Sequence, residues 1–264
     1  MKIAKYIILS FVLLLTNLLL AQEGIQKDIL SYADSIAKQI LEKEGLHTVY
    51  NGLKPISTVK YIDFKIDSVT TEFIAPKKVK EQLEFIQKAL DLLKNENIGY
   101  VLLPFKAVYG TTRNYEILVY HRKSVEELIK RKSDFFLKRG IMESISPERL
   151  LTLYEFEEKS DRFRAYGYFF GYPDHAVDFF VEASKSFQET GNFVERDFYQ
   201  LPVANGEDGR FVYAVPKGHI PNEMDKEIKE AAAENVEQYL KLKNKENIQS
   251  SQYPFLALLL SLYR

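Results

Sequence analysis

The chain has 264 residues and contains neither cysteine nor tryptophan. Without cysteine there is no disulfide framework, no thiol nucleophile and no thiolate metal site, so stability must come from a packed core. Without tryptophan, 17 Tyr and 18 Phe carry the aromatic packing. Histidine is scarce. His47, His121, His175 and His219 are the only four, and they lie too far apart for their spacing to indicate a metal motif. The chain also lacks a Gly-x-Ser-x-Gly nucleophile elbow, a His-Glu-x-x-His zinc helix, a phosphate-binding Gly-rich loop and an EF-hand loop. No cofactor or metal can be named from its patterns.

Excess charge of one sign is missing too, with 36 Lys and Arg against 37 Asp and Glu. Such a balance gives no reason to expect nucleic acid or an anionic membrane surface as partner. The longest apolar run, Tyr6 to Leu20, is interrupted only by Ser10, Thr16 and Asn17. It is shorter than the ~20 residues that span a bilayer comfortably. Lys2 and Lys5 precede it, and Ala21-Gln22 and the charges Glu23, Lys27 and Asp28 follow. This three-part pattern is that of a secretory signal peptide over residues 1–21. The expectation is an exported protein, periplasmic or secreted after cleavage. An uncleaved anchor is the rival, because Leu19 is not the small residue preferred two before Ala21. Loss of the segment leaves 34 basic residues against 37 acidic, a net charge of −3. Residues 22–243 suit a single globular domain, and 244–264 read as a polar linker and an apolar tail.

Periodicity predicts a helix over Ile25 to Glu44, where apolar residues recur at three- and four-residue steps. Val59 to Phe73 alternates and reads as a strand. A helix follows from Pro76, with Val79, Leu83, Ile86, Leu90 and Leu93 forming an amphipathic stripe. Tyr100 to Tyr109 and Tyr115 to His121 read as a hairpin around Gly110 to Asn114, and Pro104 implies an edge strand or a bulge. Ser124-Val-Glu-Glu127 has the form of a capping box for a helix running to Arg139. Ser146-Pro147-Glu148 opens another. Phe198 to Val203 and Arg210 to Val215 form a second hairpin, whose loop holds Asn-Gly and Asp-Gly. Pro221-Asn222 caps a last charged helix to Lys243. Hairpins require antiparallel pairing, so the class is α+β: an antiparallel sheet of two hairpins plus an extra strand, packed with about six helices.

The aromatic-rich stretch Asp161 to Phe187 organises the chain. Gly171-Tyr172-Pro173 makes a hard corner between two helices: Gly171 permits a left-handed residue, Tyr172 is extended before proline, and Pro173 fits a first helical turn. Gly167 and Gly171, four apart, let another backbone or ring approach closely. In the second helix Ala176, Phe180, Ala183 and Phe187 form one stripe. His175, Asp178 and Glu182 lie along another, and Asp174 sits at the N-terminal end. His175, Asp174 and Asp178 are therefore the catalytic candidates, for acid–base work or for a metal, with Glu182 beside them and His121 available through folding. The plainer reading is a solvated polar face. His121-Arg122-Lys123 reads as a solvated strand end, and Gly218-His219 as a solvated loop.

Three functional expectations follow. The first is an exported domain that binds a small molecule or a protein partner without catalysis. The second is a secreted hydrolase or metal-dependent enzyme built on the His/carboxylate face. The third is an envelope assembly component that docks through the apolar tail Phe255 to Leu262. Membrane contact is expected only through the N-terminal signal or this tail.

Overall fold

The computed structural model describes residues 23–206 and 211–263. The segment 1–21, expected to be a signal peptide, and the Asp-Gly part of the second hairpin loop lie outside the described residues.

The α+β class expected from the sequence is the one observed, with strands in two antiparallel sheets. The larger sheet has strands β1 (Ile56–Lys65), β2 (Ile98–Tyr109) and β3 (Thr112–His121), in the order β1-β3-β2. The smaller pairs β4 (Arg196–Leu201) with β5 (Phe211–Pro216). The two hairpins thus sit in separate sheets, and the extra strand joins the first. Helices also outnumber the expected six.

β3 is central, and both faces of its sheet are covered. Side chains alternate across a strand. Ile117 and Val119 therefore join one core, while Leu118 and Tyr120 join another. The first core contains α1 (23–42), α2 (Leu46–Val49), α3 (Pro76–Asp91), part of α9 (Glu223–Lys243), α10 (Glu246–Gln249) and α11 (Pro254–Leu262). The second contains α4 (Arg122–Arg131), α5 (Ser133–Phe136), α6 (Pro147–Glu155), α7 (Lys159–Phe169) and the start of α8 (Asp174–Thr190). Double burial explains why Ile117 to Tyr120 is continuously apolar rather than alternating. A third, smaller core joins α8 and α9 to the β4–β5 hairpin.

Several expected boundaries move. The strand predicted over Val59 to Phe73 ends at Lys65, where the side chain of Asp67 accepts from the amides of Val69 and Thr70 and turns the chain. The first hairpin turns at Gly110-Thr111, so Thr112 to Asn114 are strand residues. β2 is an edge strand with an irregularity between Pro104 and Val108, as a proline without a donor requires. α4 starts at Arg122, two residues before the expected cap. His121 is its N-cap, and its Nδ1 accepts from Ser124 N at 3.2 Å. The helix expected to reach Arg139 breaks at Lys132 and closes at Gly140, which has φ 67°. In α8 the buried residues are Ala176, Val177, Val181 and Ala183, whereas Phe180 and Phe187 are exposed. The expected stripe is thus rotated by about one position.

The apolar tail packs on the chain's own first core. Leu256, Leu258 and Leu259 are buried, Leu256 N donates to Asp34 Oδ1 at 2.8 Å, and Tyr263 OH donates to Leu93 O at 2.9 Å. Among the described residues no helix is long and apolar enough to cross a membrane.

Candidate functional site

The corner between α7 and α8 is set by two glycines. At Gly167 a Cβ would come within 2.7 Å of Val177 Cγ2, so its absence lets the two helices close on each other. Gly171 has φ +73°, a conformation that L side chains rarely adopt, and a Cβ there would lie 3.0 Å from Leu53 O. The backbone that approaches Gly171 is therefore the segment Leu53-Lys54-Pro55.

Lys54 is fully buried under the corner. Its ammonium lies 2.6 Å from Glu44 Oε2 and over the rings of Phe211, Phe170 and Tyr172, at 4.4, 5.1 and 5.8 Å from their centroids. Burial pushes the Lys54 pKa down, and the Glu44 carboxylate opposes that shift. Nearby, burial takes His47 down to about 4, although its hydrogen bond to Pro202 O resists. His47 is thus neutral, with Nε2–H donating and Nδ1 facing Asn235 Nδ2.

Two cavities flank α8. The first, about 440 Å³, lies between α7, α8, the irregular end of β2 and the β4–β5 hairpin. Its walls include Phe105, Phe163, Tyr166, Phe170, Tyr172 and Tyr213, and the exposed rings of Tyr109, Phe180 and Phe198 stand at its rim. The few polar groups include Glu155, which is 7% exposed. Glu155 accepts from Lys106 N at 2.9 Å and from Tyr166 OH at 3.0 Å, with Arg162 Nη1 at 3.8 Å. Behind it sits Glu116 on β3. Burial raises Glu116 to about 7; hydrogen bonds from Thr58 and Tyr61 oppose this, and the charges of Glu155 and Glu44 add to it. Burial, and then the charges of Glu155 and Glu116, also push the Tyr166 hydroxyl well above its usual range.

The second cavity, about 580 Å³, opens on the other side of the corner, and His175, Tyr172, Lys132, Glu127 and Met224 are among its lining residues. At its edge His175, His219 and Asp225 converge. His219 Nε2 is 2.8 Å from Asp225 Oδ2, and His175 Nε2 is 3.1 Å from Asp225 Oδ1. The imidazole rings face each other with centroids 5.2 Å apart. Asp225 is fully buried at the third position of α9. It forms a reciprocal capping box with Asn222 and also accepts from Tyr213 OH. Burial alone would raise the Asp225 pKa, but donors from Tyr213, His219 and the Asn222 amide outweigh it and hold the carboxyl below its usual value. Tyr213 bridges the two regions: its ring lines the aromatic cavity and its hydroxyl holds Asp225.

Of the candidates, only His175 enters this cluster. Asp174 pairs with Lys132 at 2.6 Å, Asp178 pairs with Arg164, and Glu182 pairs with Lys185 at 3.1 Å. His121 serves α4. His219, expected to be solvated, has a side chain only 15% exposed, because Asp225 draws it in. The sequence reading missed Lys54, Glu116, Glu155, Tyr213 and Asp225. Asp225 alone had a local signal, as the third residue after the Asn222 cap. Compared with known proteins, the chain matches no family model, no curated protein and no solved structure.

Proposed function

We propose that the protein binds a small, largely apolar molecule in the aromatic cavity, as an exported ligand-binding domain without catalysis. The observation that carries this reading is the cavity itself: about 440 Å³, walled by rings from β2, α7, α8, β4 and β5, with a buried carboxylate at Glu155 among its few polar groups. Ligand sites have this composition, apolar walls with a few placed polar groups, and this size. A core packed for stability alone would close such a space, since an unfilled apolar volume is destabilising. Tyr109, Phe180 and Phe198 leave apolar surface at the rim, where a ligand enters. The hydrolase alternative built on His175, Asp174 and Asp178 has less support, because both aspartates are engaged in ion pairs apart from His175. The tail-docking alternative also has less support, because the leucines of the tail lie in the chain's own core.

The test is titration of the purified chain with the fluorescent apolar anion 1-anilinonaphthalene-8-sulfonate, followed by mass spectrometry of an organic extract of the protein. Ala107 lines the cavity from β2 and is half-buried, so Ala107→Phe fills the space without disturbing a core residue. We expect saturable one-to-one binding, weakened about tenfold or more by Ala107→Phe, a loss near 1.4 kcal/mol or above. Absence of saturable binding, or equal binding by the variant, would reject the cavity as the site.

A further inference from the structure

We propose that His175, His219 and Asp225 form a binding site for one divalent transition-metal ion, zinc being the best chemical match, at the edge of the second cavity. One ligand atom from each residue lies within 4.8 Å of the other two. Two imidazoles and one carboxylate form a borderline donor set suited to zinc, and three protein ligands leave a fourth position for water or a substrate. The cavity lies where that position would open, since His175 lines it.

Two features separate this cluster from an ordinary His–Asp contact. The first is support behind the ligands. Asp225 is fixed by Tyr213 OH and by the Asn222 amide at 2.9 Å, so its two oxygens are held toward the two histidines. Partners of this kind orient metal ligands. The second is an unmet valence. His175 Nε2 lies 3.1 Å from Asp225 Oδ1 but off the line of a hydrogen bond, and it is buried without a hydrogen-bond partner among the described residues. A buried nitrogen of this kind is costly to leave unmet, and a metal ion shared with His219 would satisfy it. Asn222 Nδ2 stands 3.4 Å from His175 Nδ1, at the outer limit of a hydrogen bond. Because Asn222 Oδ1 accepts from Asp225 N, the amide can only donate to His175 Nδ1, and this long contact would give way when Nδ1 takes the proton and Nε2 takes the ion.

The three ligands come from the start of α8, the loop after β5 and the first turn of α9. The ion would therefore tie the corner to α9. The inference is independent of the apolar-ligand reading, because Ala107→Phe alters the cavity and leaves these three residues untouched.

The experiment uses the full chain after chelator treatment, with zinc chloride titrated calorimetrically and the imidazole nitrogens of the four histidines followed by NMR. We expect one saturable site per chain. Zinc should shift the ring signals of His175 and His219 and leave His47 and His121 in place. His175→Ala and His219→Ala should each weaken binding about tenfold or more. Should either fail to show native circular dichroism, His175→Gln and the wild-type NMR shifts supply the same test. No saturable heat, shifts at His47 or His121 instead, or equal affinity in the folded histidine variants would overturn the proposal.

Discussion

Lys54 and Asp225 are both charged and both fully removed from solvent, yet their surroundings differ. Lys54 is closed on every side: one carboxylate, three ring faces and the backbone of the corner surround it. Asp225 accepts from Tyr213 OH, His219 Nε2 and the Asn222 amide, and one of its neighbours, His175 Nε2, has no hydrogen bond of its own among the described residues. The first arrangement is complete and holds the corner against Leu53 to Pro55. The second is incomplete and borders a cavity. A buried charge with every partner present is evidence about folding. One with a neighbour left over points to a ligand.

The largest expected effect lies on the closed side. Glu44→Gln leaves the Lys54 ammonium buried without its counter-ion, and loss of one partner of a buried pair costs about 3–5 kcal/mol. Urea denaturation should show that loss. A change below about 1 kcal/mol would mean that the rings alone hold the cation, and the comparison would fail.

Next in size is the pH dependence set by Glu116. Its carboxyl sits at about 7 in the folded chain because burial disfavours its charge, against the usual 4.5. The folded state therefore binds the extra proton between these values, and Glu116 removes stability as pH rises through that window. The full effect is about 3 kcal/mol, at 1.36 kcal/mol per unit. His47 acts in the opposite sense. Buried and neutral, it falls to about 4 from 6.5, so it adds stability as pH rises from 4 to 6.5. The two slopes oppose over their shared range. Glu116→Gln should then gain about 3 kcal/mol relative to wild type at pH 8.5 compared with pH 4.5, as read by denaturation at both. A difference that does not vary with pH would place Glu116 in a wetter site than the fold implies.

On the open side, zinc at a hundredfold excess over its Kd should stabilise the wild type by about 2.7 kcal/mol and His219→Ala by much less. Thermal unfolding with and without the ion checks this. If both proteins gain equally, the cluster is as closed as the lysine site. The smallest effect belongs to the corner. Gly171→Ala forces a side chain into a left-handed residue that lies against Leu53 O, and should lose about 1–3 kcal/mol, measured by the same denaturation. A neutral result would mean that the corner relaxes freely and does not clamp Lys54.

Much of the fold was legible locally. Ser146 and Asn222 act as helix caps, Gly171-Tyr172-Pro173 turns the chain, and Pro104 marks an irregular edge strand, because each depends on the backbone geometry of a few neighbouring residues. The rotated stripe of α8 was not legible, because which side of a helix is buried depends on where β5 and α7 pack. The candidate site was only partly visible. His175 stood out as a histidine at a helix start. Asp174 and Asp178, nearest in sequence, found Lys132 and Arg164 instead, and the carboxylate that His175 meets is fifty residues away on α9.

By itself the sequence determined the class, the order of most helices and hairpins, and the position of the corner. These follow from short-range sterics and from the period at which apolar residues recur. Only the tertiary structure decided which charges are buried, which residues meet across the corner, and where space is left open. Those outcomes depend on contacts between segments far apart in the chain, as when Lys54, Phe170 and Phe211, or His175, His219 and Asp225, come together, and no local pattern specifies such a meeting.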